Sequence, residues 1–504
     1  MNVTTETGSA AGKESVVLAS TAGVERIDVQ PVNAKHRRSL YAKREKIHPR
    51  RSRGNFRRLK WLIMAVTLGI YYLTPWIRWD RGPSAPDQAV LVDFAGRRFY
   101  FFFIEIWPQE VYYITGLLIL AAVGLFLVTS VWGRAWCGYA CPQTVWTDLF
   151  VAVERFVEGD RNARIKLDRA PWSADKLAKR AAKHAVWLVV AVLTGGAWVF
   201  YFADAPTLLV QLSTLQAPAV AYAFIGLFTA TTYLLGGHAR EQVCTYMCPW
   251  PRIQAAMIDE DTLTVSYRAF RGEPRGPHKK GDSWAARGDC VDCNQCVVVC
   301  PMGIDIRDGP QLECITCALC IDACNEVMDK VGRPRGLIAY DTDAGMVRRA
   351  AGEIPKFRIV RPRTIAYAII LAVVSGVMLF ALLNRSPVDL NVLHDRNPLY
   401  VSLSDGGIRN GYTVKILNKR RMDIGYGLSL EGLDRVEVRI VGADDGDGAA
   451  TLTAPADALR SFRVLVSAPR DALAGESTDI RFVITDPDTG VTDAEDAQFV
   501  GPRQ

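Results

Sequence analysis

Histidine is scarce in this chain of 504 residues, which contains only six, and none lies at the centre of a long apolar run. A haem relay across a membrane needs axial ligands inside the spanning helices, and histidine is the usual one. We therefore expect no b-type haem. The sequence also lacks a cleavable signal pattern, since its first apolar run starts near Leu59 after a long polar lead.

Positive charge is depleted in one part of the chain and concentrated in the rest. Residues 385–504 contain 14 Lys and Arg against 19 Asp and Glu, a net charge of −5, so the remainder of this +7 chain carries about +12. The basic residues crowd the ends of apolar runs, as the positive-inside rule of membrane proteins describes. Nucleic acid, the other common partner of a basic chain, is therefore not an expected partner.

Five apolar runs of roughly 20 residues are each long enough to cross a bilayer as a helix. They are Leu59–Ile77, Val111–Trp132, Ala185–Ala203, Ala217–Leu235 and Thr364–Leu383. The loop 143–184 is rich in Lys and Arg, whereas the loop 204–216 has neither. With the N-terminus inside, we expect a multi-pass protein of the bacterial inner membrane, with loop 236–363 in the cytoplasm and the C-terminal tail in the periplasm.

Eight of the twelve cysteines form two runs with the spacing C-x2-C-x2-C-x3-C, which is the ligand pattern of bacterial ferredoxins. The runs are Cys290, Cys293, Cys296, Cys300 and Cys314, Cys317, Cys320, Cys324. In this pattern the last cysteine of each run ligates the other cluster. We therefore predict two 4Fe–4S clusters, one held by Cys290, Cys293, Cys296 and Cys324, the other by Cys314, Cys317, Cys320 and Cys300.

Zinc and disulfide bonds explain these runs less well. A zinc site usually takes one set of four thiolates or a mixture of cysteine and histidine, and this stretch has eight thiols and no histidine. Disulfide frameworks suit small secreted domains. Thiols meant for iron need a reducing compartment during assembly, which agrees with a ferredoxin domain in the cytoplasm.

The other four cysteines form two C-x3-C-P motifs, Cys137 with Cys141 and Cys244 with Cys248, each at the cytoplasmic end of a predicted span. A spacing of four places both thiols of a pair on one helix face, and the following proline disfavours helix at the preceding residue. Four converging thiolates would suit Cu(I), Zn(II) or a further iron–sulfur cluster. A dithiol that cycles with a disulfide is equally open.

Four neighbouring residues bear on this second set of thiols. Arg134 and Arg240 precede the two pairs, and nearby cations are expected to lower thiol pKa values and favour thiolate. Met247 offers a thioether for copper, although a lone methionine in a helix usually serves packing. His238 is a further candidate ligand, although its position favours a solvated residue at the membrane interface.

The tail shows about seven short segments that alternate apolar and polar residues, which is typical of an immunoglobulin-like sandwich. The aromatic segment 94–110 is too polar to span a membrane and is expected at the outer interface. We divide the chain into a disordered basic N-terminus (1–58), a four-helix transmembrane region with both C-x3-C-P motifs (59–250), a ferredoxin-like domain (251–363), a fifth transmembrane helix (364–384) and an immunoglobulin-like domain (385–504).

The segments WCGYACPQTVW and CTYMCPW, together with the double ferredoxin run, the spans and the sandwich tail, resemble the family of the cytochrome c oxidase accessory protein CcoG, also called FixG or RdxA. The resemblance covers nearly the whole chain after about residue 35. It implies an inner-membrane iron–sulfur protein needed to assemble cbb-type haem–copper oxidase. It also implies a cupric reductase that supplies Cu(I) to copper chaperones, with the C-x3-C-P cysteines as the copper-handling or redox thiols.

Our hypothesis is an electron path on one membrane face. An unidentified cytoplasmic donor reduces the clusters, and electrons reach the four catalytic C-x3-C-P cysteines, where Cu(II) becomes Cu(I). The expected partners are the membrane, copper chaperones and oxidase assembly factors, and a homodimer is left open. The rivals are a quinol-linked electron-transfer subunit, like those of nitrate or nitrous oxide respiration, and a non-redox scaffold or metallochaperone.

Overall fold

The computed structural model describes residues 46–82, 85–279, 281–441, 451–473 and 475–502. Most of the region 1–58, which was predicted to be disordered, lies outside these residues. Its described part, residues 46–58, is packed against the rest of the protein. The amide of Arg50 donates to the carbonyl of Val298, and the Arg155 guanidinium donates to the carbonyl of Pro49. The prediction of disorder is therefore wrong for residues 46–58.

A bundle of helices makes up the first half of the chain. In chain order they are α1 (Asn55–Leu73), α2 (Tyr112–Trp132), α3 (Ala135–Tyr139), α4 (Pro142–Glu158), α5 (Arg161–Arg169), α6 (Ala174–Val199), α7 (Ala205–Ser213), α8 (Ala219–Thr232), two π-helical segments (Tyr233–Ala239 and Val243–Met247) and α9 (Trp250–Met257). Between α1 and α2 a small antiparallel sheet forms from β1 (Val90–Asp93), β2 (Arg98–Phe101) and β3 (Ile104–Ile106).

Four helical segments of the described chain are long and apolar enough to cross a membrane. They are Pro108–Trp132, Ala174–Val199, Ala219–Ala239 and Pro362–Leu383. Most of their side chains lie exposed rather than packed inside the protein, as expected for surfaces that meet lipid. Four of the five predicted spans are therefore confirmed as long apolar helices, consistent with a membrane protein.

The first predicted span, Leu59–Ile77, differs from the others. Helix α1 carries Arg57, Arg58 and Lys60 in its first turns, so it has too many charged residues to count among the candidate membrane spans. Arg57 and Lys60 are buried, with side-chain nitrogens 2.9 Å and 3.8 Å from the Asp148 carboxylate. Its 19 residues nevertheless extend about 28 Å, so whether α1 crosses the membrane stays a prediction.

The bundle has two ends, which we name after the domains that they contact. At the ferredoxin end, the amide of Arg57 in α1 donates to Asp322, and Arg134, just after α2, donates to the carbonyl of Leu312. At the sandwich end, Glu110 before α2 pairs with Arg385, which follows the last helix. The long helices therefore run between the two ends in alternating directions, as the five predicted spans do.

The ferredoxin domain is small and irregular around its cysteines. Its elements are β4 (Thr264–Tyr267), α10 (Ala269–Gly272), α11 (Gln295–Val298), α12 (Leu319–Lys330), β5 (Ile338–Asp341) and α13 (Asp343–Ala350). Strands β4 and β5 pair antiparallel, with Tyr267 opposite Ile338. Buried apolar residues such as Met328 and Leu337 pack around the cysteines and keep water from them. Helix α14 (Pro362–Leu383) follows and leads back to the sandwich end.

The C-terminal domain is an immunoglobulin-like sandwich of two antiparallel sheets. Its strands are β6 (Val388–His394), β7 (Val401–Ser402), β8 (Ile408–Asn418), β9 (Ile424–Glu431), β10 (Glu437–Ile440), β11 (Thr451–Ala454), β12 (Ala458–Ala468), β13 (Ser477–Thr485) and β14 (Thr492–Val500). One sheet has the order β10-β12-β8-β6, with β7 beside β8, and the other has the order β11-β9-β13-β14. Inward-facing residues such as Tyr412, Val464 and Phe482 form the core.

The segment 94–110, predicted to be an interfacial aromatic stretch, contains strands β2 and β3 and contacts the sandwich. Arg98 lies with its guanidinium 2.5 Å from the Asp457 carboxylate and 3.1 Å from that of Glu105. Glu110 also accepts from Lys419, at 3.0 Å. These side chains are largely buried, so the pairs are shielded from salt and hold the sandwich against the bundle.

Helix α1 is capped by a residue of another domain. Neither its own N-cap residue, Gly54, nor any acidic residue in its first turn satisfies its free amides. Instead, the buried carboxylate of Asp322 in α12 accepts from the amides of Phe56 and Arg57, at 3.3 Å and 2.8 Å. An anion at this position also interacts favourably with the helix dipole.

Replacing this cap is our first prediction. Asp322→Ala should lower the free energy of local opening at residues 55–58 by about 1–2 kcal/mol, as expected for loss of an N-cap. Hydrogen–deuterium exchange of these amides measures the change. Asp329→Ala is the control, because Asp329 lies on the same helix but pairs with Arg335 at the surface. Equal exchange in both variants would contradict the capping role.

Candidate iron–sulfur and thiol site

The eight ferredoxin thiols form two groups in space. The thiol of Cys324 interacts with those of Cys293 and Cys290, and the thiol of Cys296 interacts with those of Cys324 and Cys293. In the second group, Cys300 interacts with Cys317 and Cys314. Cys320 interacts with Cys317, Cys314 and Cys300, and most weakly with Cys296 of the first group. The structure therefore brings together the two sets that the spacing predicts, each with the last cysteine of the other run.

The two cysteine loops share an unusual backbone. Asp292 and Asn294 in the first loop have φ of 54°, and Thr316 and Ala318 in the second have φ of 57° and 60°. Residues other than glycine seldom adopt positive φ, so such positions concentrate at functional sites. The four residues occupy equivalent positions in the two runs. This pair of matching cradles, each with four thiols, fits two 4Fe–4S clusters.

Burial raises the pKa of several of these cysteines and so keeps them as thiols unless something binds them. It raises the pKa of Cys300 to about 12, that of Cys314 to about 11 and that of Cys324 to about 12. The thiolate is the metal ligand, so binding iron must release protons. Cys293 is the exposed member of the set, and its edge of the first group faces solvent.

The C-x3-C-P motifs are not continuous helical turns. Helix α2 ends at Trp132, and Gly133 has φ of 57° and ψ of −129°. Cys137 then lies on the short helix α3, whereas Cys141 precedes α4 with ψ of 128°. The prediction that each pair shares one helix face is wrong, because the chain turns between the two cysteines.

In the second C-x3-C-P motif, too, the two cysteines do not lie on one continuous α-helix. Cys244 lies in a π-helical segment, and Cys248 follows it with an extended backbone, ψ 122°. Gly236 and Gly237 in the preceding π-helical segment lie against the Phe150 and Trp187 rings, where a side chain at Gly237 would be 3.1 Å from Trp187. π-Helical segments occur frequently at functional sites. Here the wider turn brings Cys244 toward the first motif.

The four thiols of the two motifs converge. Cys244 interacts with Cys141, Cys137 and Cys248, and Cys137 interacts with Cys141 and Cys248. Burial raises the pKa of Cys137 to about 11 and that of Cys244 to about 12, and each neighbouring thiol adds to the shift. Cys137 and Cys244 are therefore protonated at neutral pH when nothing binds them.

The expectation that Arg134 and Arg240 favour thiolates is wrong for the two buried cysteines. Arg134 does lower the pKa of Cys137, but burial outweighs it. The Arg240 guanidinium instead lies 2.9 Å from the buried carboxylate of Glu154. The sequence showed that a cation was near, but only the fold shows what it pairs with.

Gln254 in α9 is a site residue that the sequence did not single out. Its side chain is fully buried, and its Oε1 accepts from the Sγ of Cys137 at 3.1 Å. Its Nε2 donates to the Oγ1 of Thr129, also at 3.1 Å. The amide thus connects the first thiol to the end of α2. Only its place a few residues after Pro249 could have drawn attention to it.

The thiol site lies directly against the second ferredoxin loop. A side chain at Gly138 would be 2.6 Å from the carbonyl oxygen of Ile315 and 3.0 Å from the Cα of Cys317. The Tyr139 hydroxyl donates to the carbonyl of Cys317 at 3.2 Å. Cys137 belongs to the same apolar cluster as Cys317, with Cys300 and Cys244 packed against it. The two cysteine sets are therefore in contact through this apolar cluster.

No three His, Cys, Asp or Glu side chains in the described ranges are placed to hold one metal ion. The arrangement therefore does not support a preformed site for a single copper or zinc ion on Cys137, Cys141, Cys244 and Cys248. Met247 is 63% exposed, and His238 stacks on His184 with 5.8 Å between ring centroids. A cube of four irons takes its ligands at separate corners and needs a wider set of thiols.

Three family models match this chain. Residues 239–343 match a model described as "4Fe-4S dicluster domain", and residues 114–157 match one described as "4Fe-4S binding domain". Residues 378–502 match the "IG-like fold at C-terminal of FixG". The two iron–sulfur models together contain all twelve cysteines.

Two curated relatives align over almost the whole chain. The "Nitrogen fixation protein FixG" of Rhizobium meliloti (strain 1021) is 56% identical over 95% of this chain and 97% of its own. "Protein RdxA" of Cereibacter sphaeroides is 53% identical over 92% of this chain and 99% of its own. Among solved structures, a FixG-related protein from Vibrio parahaemolyticus is 24% identical, with a TM-score of 0.20, and covers 23% of this chain and 96% of its own.

The raised thiol pKa values give a second prediction. In protein freed of metal under anaerobic conditions, alkylation of Cys137 and Cys244 by iodoacetamide should accelerate about tenfold per pH unit between pH 7 and 9. The reason is that the thiolate fraction keeps rising until the pKa, about 11 and about 12, is reached. Mass spectrometry of the modified peptides measures the rates. Unfolded peptides of the same segments, whose rates should level off near pH 9, are the control, and an early plateau in the folded protein would contradict the prediction.

Proposed function

Because this chain belongs to the FixG/RdxA family, we propose that it uses its iron–sulfur electron transfer to reduce Cu(II) to Cu(I) at the C-x3-C-P thiols. The observation that carries the proposal is the contact of Gly138 and Tyr139 with the Ile315–Cys317 backbone. This contact supports the proposal because it brings the segment between Cys137 and Cys141 against the backbone of the second cluster loop. A structural metal site elsewhere in the chain would not need this contact.

The chemistry divides between the bound groups and the chain. When bound, each 4Fe–4S cluster supplies reversible storage of one electron, and each Cu(II) substrate takes up one electron to become Cu(I). Soft thiolates then favour Cu(I) over Cu(II). The chain buries Cys137, half-buries Cys244 and holds the Cys137 thiol through Gln254.

The proposed setting is the bacterial inner membrane, with the ferredoxin end in the cytoplasm and the sandwich in the periplasm. The distribution of Lys and Arg and the alternating helix directions support this orientation. We propose that a cytoplasmic donor delivers electrons and that copper chaperones carry Cu(I) toward assembly of a cbb-type oxidase. The chemistry of the site supports this choice of partners, because Cu(I) is released only to a competing soft ligand.

A further 4Fe–4S cluster on the four membrane thiols is the second candidate for this site. The match of residues 114–157 to an iron–sulfur model favours it, as does the absence of a single-ion site among the described residues. In that case Cys137, Cys141, Cys244 and Cys248 would be ligands of the cluster, and copper would be reduced next to it.

Our third prediction concerns the iron content of Cys137→Ala and Cys244→Ala proteins. Metal analysis of these proteins distinguishes thiols that handle copper from thiols that hold a third 4Fe–4S cluster. If the thiols handle copper alone, both variants and the wild type should contain about eight irons per chain, as two cubes require. If they hold a third cube, the wild type should contain about twelve and the variants about eight. Electron paramagnetic resonance of the reduced proteins checks that the two ferredoxin clusters remain.

In either case the two variants should lose Cu(II) reduction while their ferredoxin clusters are still reduced by dithionite. Formation of Cu(I) is followed with a chromophoric Cu(I) chelator. Thr245→Ala, next to Cys244, is the control for a change at the same segment. The proposal fails if wild-type protein with reduced clusters does not reduce Cu(II), or if the cysteine variants reduce it at the wild-type rate.

Gly138→Ala provides a fourth prediction, which tests the contact itself. The new methyl group would meet backbone atoms of Ile315 and Cys317, so the two cysteine sets must move apart. We expect Cu(II) reduction to slow by about tenfold to a hundredfold, since displacements of about 1 Å have such effects on reacting groups. Gly124→Ala in α2, where the methyl group meets nothing within 4 Å, is the matched control. Equal rates in the two variants would contradict a role for the contact.

A further inference from the structure

A cavity of about 330 Å³ lies beside the thiol site, at the ferredoxin end of the bundle. Its wall includes Trp187 from α6 and Gly237 from the first π-helical segment. Arg240 and Glu241 line this cavity and also a second one that Cys244 lines. One residue layer therefore separates the cavity from the thiols.

The cavity lies at the level where the apolar parts of two candidate membrane spans end. His184 stands immediately before the uninterrupted apolar part of α6, and His238 stands at the end of the apolar segment Ala219–Ala239. The two imidazoles are stacked in the cavity wall, and the Tyr233 hydroxyl lies 2.8 Å from His184 Nδ1. The apolar parts of two candidate spans thus end at this level, where tryptophan and basic side chains commonly meet the headgroup region.

The cavity wall is positively charged. The lining charges are Lys46, Arg180, Lys183 and Arg240 against Glu154 and Glu241. Behind the wall, Asp168 pairs with Lys46 and Arg180, Glu158 pairs with Arg180 and Lys183, and Arg164 pairs with Glu154. The five cations and four carboxylates of this network leave one positive charge in excess when the histidines are neutral.

The same positive charges affect the pKa values of two neighbouring groups, Glu154 and His48. Burial alone would raise the pKa of Glu154, but Arg240, Arg164 and Lys183 hold it at about 2. Burial lowers the pKa of His48 to about 3, and the charges of Lys46 and Arg164 add to the effect. A buried positive field of this kind stabilises an anion.

We propose that this cavity binds the phosphate of an anionic phospholipid from the leaflet at the ferredoxin end. A phosphodiester carries one negative charge, which matches the excess of the network, and Lys and Arg are the side chains that bind phosphate. Basic pockets between membrane helices bind lipid headgroups by the same chemistry. Free inorganic phosphate shares that chemistry, and the experiment below distinguishes the two sources.

The cavity is connected to the thiol site through Arg240. This residue has φ of 45° and ψ of −114°, a conformation that a non-glycine residue rarely adopts. Its Nε donates to the carbonyl of Gly237 at 2.7 Å, and its carbonyl accepts from Gln143 at 3.2 Å. A phosphate beside this guanidinium would stabilise the turn that leads to Cys244. The bound lipid therefore also supports the position of the thiol.

Our fifth prediction is that the full-length protein prefers an anionic lipid, and it is tested by lipid binding in the absence of copper. Native mass spectrometry from detergent measures how much protein retains one phosphatidylglycerol or one phosphatidylcholine. We expect phosphatidylglycerol to be retained with at least about tenfold higher affinity, and the Lys46→Gln/Arg180→Gln protein to lose about tenfold of that affinity, since charge-assisted hydrogen bonds are removed. Lys179→Gln is the matched control, because Lys179 neighbours Arg180 in sequence but pairs with Asp175 at the surface.

Two measurements keep the outcome unambiguous. Single Lys46→Gln protein, altered at the exposed mouth of the cavity, should show a smaller loss of affinity in the same direction, and its iron–sulfur absorbance should match the wild type. Equal retention of the two lipids, or unchanged retention in the double variant, would overturn the proposal. Displacement of phosphatidylglycerol by millimolar inorganic phosphate would overturn the lipid as the ligand. None of these readouts depends on whether the protein reduces copper.

Discussion

The close approach of Gly138 to the backbone of Ile315 and Cys317 is the constraint on which the rest of this structure depends. Only a residue without a side chain allows the short helix α3 to lie this near the second ferredoxin loop. The contact joins two separate cysteine sets through one apolar cluster that contains Cys137 and Cys317. The packed residues 46–58, the cap by Asp322 and the bond from Tyr139 to Cys317 all hold the ferredoxin domain in the position that this contact needs.

Burial decides the chemistry of the thiols in this region. It raises the pKa of Cys137 and Cys244 well above the ordinary cysteine value, although Arg134 is near. A buried thiol is poorly reactive and gains its role only when a metal or cluster replaces its proton. The burial of Cys137 therefore links the occupancy of the site to proton release.

The ferredoxin end also contains an extensive network of buried charges. Glu154 is fully buried and contacts Arg164, Arg240 and Lys183. Removing such charges from water is costly, and the cost is offset only where each charge finds partners. Here the network joins α4, α5, α6 and the turn before Cys244. It ties the position of the thiol site to the charged groups that line the neighbouring cavity.

The sequence by itself determined the parts of this protein that depend on local spacing and composition. Two ferredoxin runs, two C-x3-C-P motifs, four long apolar helices and a strand-rich tail follow from the order of residues, because cluster ligation and membrane insertion impose short and regular patterns. The sequence predicts about seven strands in the tail, whereas the structure describes nine, β6 to β14, because the limits of short strands depend on the sheet that they join. Only the tertiary structure decided that Gln254 holds Cys137, that Arg240 pairs with Glu154 instead of activating a thiol, and that Asp322 caps α1. The contacts of Gln254 and Asp322 join segments that are 117 and 265 residues apart in the sequence. No local pattern encodes such contacts, because they arise from the packing of whole domains.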